Sequence, residues 1–522
     1  MTLQVGDARA AVGPSAGELE LVLRPLVDGA SARGRQTLVS VTIAIPWRDP
    51  IALFSAARAV GGEPALWLQP GAGFALVAIG AAWTLRPSGP ARFRQAALAW
   101  RGILDGACLV DASAGARGTG PLLVGGFGFR PEPSSGPAWR RFERGQLVLP
   151  SLLVTIEDGA SWLTANVVAP SDGTEADAPT ATREVAELWA AVERGARIGA
   201  EEPAGFAPAG FAPAGFAAEI APDVAPGLGA DRPPGLGADR PPVPATLRIG
   251  GLQPGPAEWR ASVGRLAGAV GRGRADKVVL ARRVDLVADA PVSLPVALRR
   301  LEVMARESTI FAVTRRGRTF LGATPERLLR VDGRMFRTIA LAGSIGRGCD
   351  PAEDERLAAE LLASAKDREE HEVVVAMLRR TLAPLAEELE VAPDPVVVTL
   401  RHVQHLATEV RGRLRQQAGV LSLVERLHPT PAVGGAPREL ALELIAAEEH
   451  LDRGWYAGPL GWLDRHDDGE FVVAIRSGVV EDDRVSLFAG CGIVADSDPD
   501  REWAESEMKL DALASALGRL ER

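Results

Sequence analysis

An α+β chain resting mainly on antiparallel sheets is what this sequence predicts, and three observations lead there. Strand-like stretches outnumber helix-like ones. They follow one another closely, which suits antiparallel pairing rather than the long crossovers of a parallel sheet. The composition, 47% hydrophobic and 24% charged over 522 residues, is that of a globular protein with ample apolar material for a core.

In chain order, residues 1–201 offer the strand-like pieces "TLVSVTIAIP", "FALVAIGAAWTL", "PLLVGGFGF", "QLVLPSLLVTIED" and "SWLTANVVAP", with "PARFRQAALAWRGILDG" and "TREVAELWAAVERGARIG" as helices. Residues 202–243 repeat "AGFAP" and "PGLGADRP", too rich in Pro, Gly and Ala to bury much apolar area, so they are expected to be a linker or disordered insertion without chemistry. From 244 to 522 come a helix at "EWRASVGRLAGAVGRG", a strand at "KVVLARRVDLV" and short strands through "TIFAVTRRGRTFLGATPERLLRVDG". A long helix is expected at "REEHEVVVAMLRRTLAPLAEELE", and antiparallel strands at "EFVVAIRSGVVEDDRVSLFAGCGIV" precede a last helix.

A net charge of −9 leaves no electrostatic footprint for nucleic acid or an anionic membrane, so an anionic ligand must be held by local groups. The three cysteines, Cys108, Cys349 and Cys491, form no C-x-x-C and suggest neither disulfides nor zinc. A cytoplasmic protein without signal peptide or membrane span is expected.

The polar residues that look out of place all fall after residue 244. Lys277 opens a strand that is apolar on both faces, where desolvation favours the neutral amine, as a base near neutrality requires; alternatively it lies at a strand end and reaches to water. Glu326 follows a proline between two apolar strands, either as a buried carboxyl able to deliver a proton or as a turn residue paired with Arg327 or Arg330. Glu502 and Glu505, three apart on the last helix, repel one another unless water or a cation intervenes. With Glu370, in an acidic helix start that dipole effects alone would explain, they make an all-oxygen set suited to Mg²⁺. Arg476, within an apolar strand, needs an anionic partner. Gly490 and Gly492 allow backbone N–H groups close to an anion, and Lys509 is either a salt bridge to Glu505 or a ligand clamp. His405 and His428 are weak signals alone.

Taken together and in order, "KVVLAR", "ATPERLL", "ALAGSIGRG", "AKDREEHEVVV", "VQHLATEV", "LHPTPAVGGAPRE", "RGWYAGPLGW", "AIRSGVV" and "AGCGIVADSDPDREWAESEMKL" resemble the chorismate-utilising enzymes. These are the isochorismate synthases, the salicylate synthases and the large subunits of anthranilate and aminodeoxychorismate synthases. The resemblance runs from about Trp259 to the end and, more loosely, through "FALVAIGAAW" and "PLLVGGFGF" before the repeats.

The resemblance implies two related lobes, 1–201 and 244–522, packing antiparallel sheets face to face with helices outside. Lys277 and the "HPTPAVGG" form point to the isochorismate synthase branch, with salicylate synthase as the alternative. It further implies that Lys277 activates water for attack at C2 of chorismate and that Glu326 protonates the departing C4 hydroxyl. Glu370, Glu502 and Glu505 would hold Mg²⁺ at the ring carboxylate. Arg476 and Lys509, with backbone near Gly490 and Gly492, would hold the enolpyruvyl carboxylate, and Gly343, Ser344 and His405 would line the pocket. A monomer or weak homo-oligomer without an amidotransferase subunit is expected.

Overall fold

The computed structural model describes residues 13–132, 136–169, 177–201, 245–400 and 403–521; the repeats at 202–243 lie outside the described residues. Two sheets form the framework, one of fourteen strands that is mainly antiparallel with two parallel pairs and one of ten strands paired antiparallel. Each draws strands from both sides of the repeats. In the large sheet the strand Ala65–Gln69 pairs with Thr309–Arg315, Trp67 opposite Phe311. In the small sheet Leu122–Phe127 pairs with Pro459–Asp464, Val124 opposite Trp462. The two parts of the chain therefore interleave rather than each owning a sheet.

Central strands of the large sheet are buried on both faces, which explains why runs such as "ALWLQ" and "FALVAI" do not alternate with polar residues. The strand period of two sorts their side chains between two cores. Trp67 and Leu76 join the core that includes both sheets, with Phe320, Phe336 and Phe471. Leu66, Leu68 and Val77 join the core on the other face, under helices that contribute Phe54, Trp189 and Leu513. Among the described residues no helix is long and apolar enough to cross a membrane.

Several strand-like stretches divide where the chain passes from one sheet to the other. "FALVAIGAAWTL" is Phe74–Ile79 in the large sheet and Trp83–Leu85 in the small one, parted at Gly80, whose φ of 69° suits glycine. "QLVLPSLLVTIED" divides at Pro150 into Gly145–Leu149 and Leu152–Glu157. The expected long helix is shorter than its pattern. It spans Ala365–Leu382, stops before Pro384, and the remaining "AEELEV" becomes an edge strand, Ala386–Val391, on Val403–Leu414. Its glutamates keep that edge charged, which discourages pairing with another chain.

Candidate active site

Two sheet-to-sheet crossings lie side by side and carry two of the expected site residues. Glu326 sits between Arg318–Thr324 of the large sheet and Arg327–Asp332 of the small one. Arg476 sits between Gly469–Val473 and Ser477–Glu481, not within a strand as the apolar run suggested, and its φ is 49°. The crossings are tied together: Val473 N–H donates to Glu326 O at 3.0 Å, and Thr324 Oγ1 donates to Val473 O at 2.7 Å. A non-glycine residue in the left-handed region persists only where its surroundings hold it, and here both sheets do.

Glu326 is 6% exposed and pairs with neither Arg327, which binds Glu470, nor Arg330, which lies by Asp332. It accepts a hydrogen bond from Thr430 Oγ1 at 3.4 Å. Burial pushes its carboxyl up to about 7, against Thr430 and the charges of Lys277, Lys509 and Arg476. The charges of three cations brought from separate elements thus act on one carboxyl.

Lys277 is 3% exposed at the start of Lys277–Ala288 and does not reach water. Its Nζ lies 2.5 Å from Glu370 Oε1, on the helix Ala365–Leu382. Burial alone would raise the Glu370 carboxyl, but the charge of Lys277 brings it below the ordinary range. The path between them crosses Gly492: a Cβ there would lie 2.4 Å from Lys277 Cε and 3.4 Å from Glu370 Oε1. The glycine supplies space for the lysine. Gly490 instead offers its carbonyl, which accepts from Lys509 Nζ at 2.9 Å.

A second chain of contacts joins Arg476 to the small sheet. Arg476 Nη2 lies 2.8 Å from His405 Nε2, and His405 Nδ1 lies 2.7 Å from Ser344 Oγ. A guanidinium only donates, so Nε2 accepts and Nδ1 carries the proton toward Ser344. Burial, then the charges of Arg476 and Lys509, push the imidazole down to about 3, so it is neutral. Ser344 and His405 sit opposite one another across a register shift next to Gly343, whose φ is 76° and whose added Cβ would meet Asp367 Cβ at 3.0 Å.

The last helix, Pro499–Leu517, starts where Asp498 accepts from the N–H groups of Asp500 and Arg501 and Pro499 takes a first-turn place that needs no N–H. It presents Glu505 to Lys509 at 2.6 Å and buries Glu502, which accepts from Ser497 Oγ at 2.9 Å. Burial favours the neutral amine of Lys509, but Glu505 holds it above the ordinary lysine range. Burial and then the Glu505 charge push Glu502 up to about 7.

Ligand atoms of Glu502, Glu505 and Cys491 lie within 4.8 Å of one another. Burial raises the Cys491 thiol, which donates to Glu502 O at 3.2 Å, so it remains protonated. That leaves two carboxylates, a donor set that fits a hard divalent cation retaining water and an anionic ligand. Glu370 is held on Lys277 and is not in this group.

A cavity of ≈ 240 Å³ opens between the small sheet and this helix, with Ser344, Arg476, Glu505 and Lys509 in its wall. Arg501 and Met508 also line it and were not singled out from sequence. The signal was there: the helix residues in the wall, from Arg501 through Glu505 and Lys509 to Ala512, recur at three- and four-residue spacing. Thr430 was missed because "HPTPAVGG" read as a tight turn.

The sequence pattern of the chorismate binding enzyme family matches residues 25–203 and 240–518. Isochorismate synthase MenF of Bacillus subtilis is 33% identical over 486 residues, 92% of this chain and 93% of its own. The salicylate biosynthesis isochorismate synthase of Pseudomonas aeruginosa is 35% identical over 497 residues, 95% of this chain and 93% of its own. The solved structure of the menaquinone-specific isochorismate synthase MenF from Escherichia coli shares the fold, with a TM-score of 0.70 over 95% of this chain and 100% of that one at 24% identity. The α+β architecture expected from the sequence is thus the one observed, and the chain belongs to the chorismate binding enzyme family.

Proposed function

We propose that the chain is an isochorismate synthase, which adds water at C2 of chorismate and expels the C4 hydroxyl. The observation that carries this reading is Glu326, a buried carboxyl poised to give up a proton near neutrality, with the side-chain nitrogens of Lys277 and Lys509 close enough to act on it. Moving a hydroxyl around a ring needs a base at one carbon and an acid at another, with surroundings that keep the two protonation states apart. In this reading Lys277 Nζ takes the proton from the attacking water, and Glu326 protonates the departing oxygen. Glu370, the only carboxylate partner of Lys277 among the described residues, receives or holds the proton that Lys277 carries.

Chorismate carries two carboxylates, and a protein with a net charge of −9 must supply cations for both. Arg476 and Lys509 would grip one, with Ser344 and the neutral His405 fixing the guanidinium. While Glu370, expected from the sequence as a third ligand, is engaged by Lys277 instead, Glu502 and Glu505 would hold Mg²⁺ for the other chorismate carboxylate. The ion would neutralise that carboxylate and orient the ring. Because the nucleophile is water rather than ammonia, no amidotransferase subunit is required.

Product chromatography of purified protein given chorismate and Mg²⁺ tests the reading. Isochorismate is expected. Salicylate with pyruvate would place the chain among the salicylate synthases, and unchanged chorismate would reject an isomerase.

A further inference from the structure

A second cavity is larger than the one described above. A cleft of ≈ 630 Å³ opens where the turn after the strand Thr309–Arg315 of the large sheet meets the start of the strand Gly145–Leu149 of the small one. Six arginines line it, Arg86, Arg140, Arg141, Arg144, Arg315 and Arg316, against three glutamates. It contains no acid–base pair of the kind formed around Glu326. Its volume is within the range of small-molecule sites.

The arginines are incompletely matched. Four arginines are buried among the described residues, Arg92, Arg282, Arg315 and Arg453. Arg282 and Arg453 hold Glu507 and Glu449 at 2.6 and 2.7 Å. Arg315, 5% exposed in the cleft wall, has no carboxylate within 4.0 Å among the described residues. Its Nη1 donates to the backbone carbonyls of Thr314 and Glu63, and its Nε is buried without a partner. Arg144 reaches Asp452 at 3.3 Å, yet its Nε is also buried and unpartnered. Arg140 and Arg316 are exposed and likewise have no carboxylate within that distance among the described residues. Desolvated guanidinium groups without counter-charge are costly, and their forked donors match oxyanions.

We propose that this cleft is a second binding site, which takes a compact small molecule carrying two or more negative oxyanion groups. Arg315 and Arg144 form its desolvated floor, and Arg140, Arg141 and Arg316 close over the ligand from the rim. Phosphate-type and polycarboxylate ligands share the required chemistry.

Titration calorimetry of the full chain with pyrophosphate and, separately, with citrate, at low ionic strength without Mg²⁺, tests this. One saturable event is expected with at least one probe, weakening as salt is added. Tighter binding of pyrophosphate would identify the phosphoryl class, and of citrate the carboxylate class. The event should persist in Arg476→Ala, which removes an anion contact in the catalytic cavity. It should weaken about tenfold or more in Arg140→Glu/Arg316→Glu, whose changes are on the surface and leave chorismate turnover intact. In the unaltered protein, the bound probe should shield Arg140 and Arg316 from phenylglyoxal, read by peptide mass. No saturable event with either probe, full affinity in the double variant, loss in Arg476→Ala, or unshielded arginines would overturn the proposal.

Discussion

In the proposed mechanism Glu326 and Lys277 carry the chemistry, and their environments make different demands on experiment. An acid works only while protonated, and burial sets the Glu326 carboxyl at about 7. The protonated fraction therefore dominates below that pH and falls tenfold per unit well above it, so kcat/KM should decline on the alkaline side. Glu326→Gln should abolish most turnover and remove that dependence. The same shift has a thermodynamic side. A carboxyl whose folded pKa exceeds its unfolded one stabilises the fold fully at low pH and loses that contribution as pH rises through the interval between them. Relative to the native protein, Glu326→Gln should accordingly gain melting temperature at pH 8 but not at pH 4. For Lys277→Ala, turnover should drop by about 10²–10⁴-fold, the usual yield of a positioned base, while calorimetry shows chorismate affinity largely kept. Lost binding together with lost turnover would make Lys277 a ligand clamp.

Strand and helix placement decide whether those residues meet. The strand Arg484–Ile493 pairs with Lys277–Ala288, placing Gly492 opposite Val279 and under the lysine side chain. Gly492→Ala should cost little stability, since the clashing atom is the end of a flexible side chain. It should nevertheless lower kcat by about a hundredfold, because displacement of a reacting group by an ångström is enough to do so. Along the same Lys277 strand, Arg282 is fully buried, holds Ser506 and Glu507 at 2.6 Å, and stacks 3.8 Å over Trp503. It fastens the helix that carries Glu502, Glu505 and Lys509 to the strand that carries Lys277. Arg282→Ala, by opening a cavity and stranding polar partners, should cost about 2–4 kcal/mol in urea unfolding.

Across the whole molecule, the residues proposed to act in catalysis gather around the points where the chain passes between two interleaved sheets. Periodicity made five of the eleven α-helices among the described residues legible, and the doubly buried strands showed as continuous apolar runs. The crossings at Gly80, Pro150, Glu326 and Arg476 were harder to see, because a strand that ends in one sheet and resumes in the other keeps its apolar pattern throughout. For the same reason Arg476 looked like a strand residue. Long-range contacts such as Lys277 to Glu370, and Thr430 to Glu326, have no local signature and were not read from the sequence. Arg501 did have one, in its helical spacing to Glu505 and Lys509. In the proposed mechanism this convergence sets a base against water at C2 and an acid against the hydroxyl at C4. Turnover of chorismate in heavy-oxygen water tests it most directly, with the label located in the product by mass spectrometry. One solvent oxygen at C2 of isochorismate is expected, with the rate of its formation by Lys277→Ala lowered by the same factor of about 10²–10⁴. Isochorismate that retains the original C4 oxygen would contradict it.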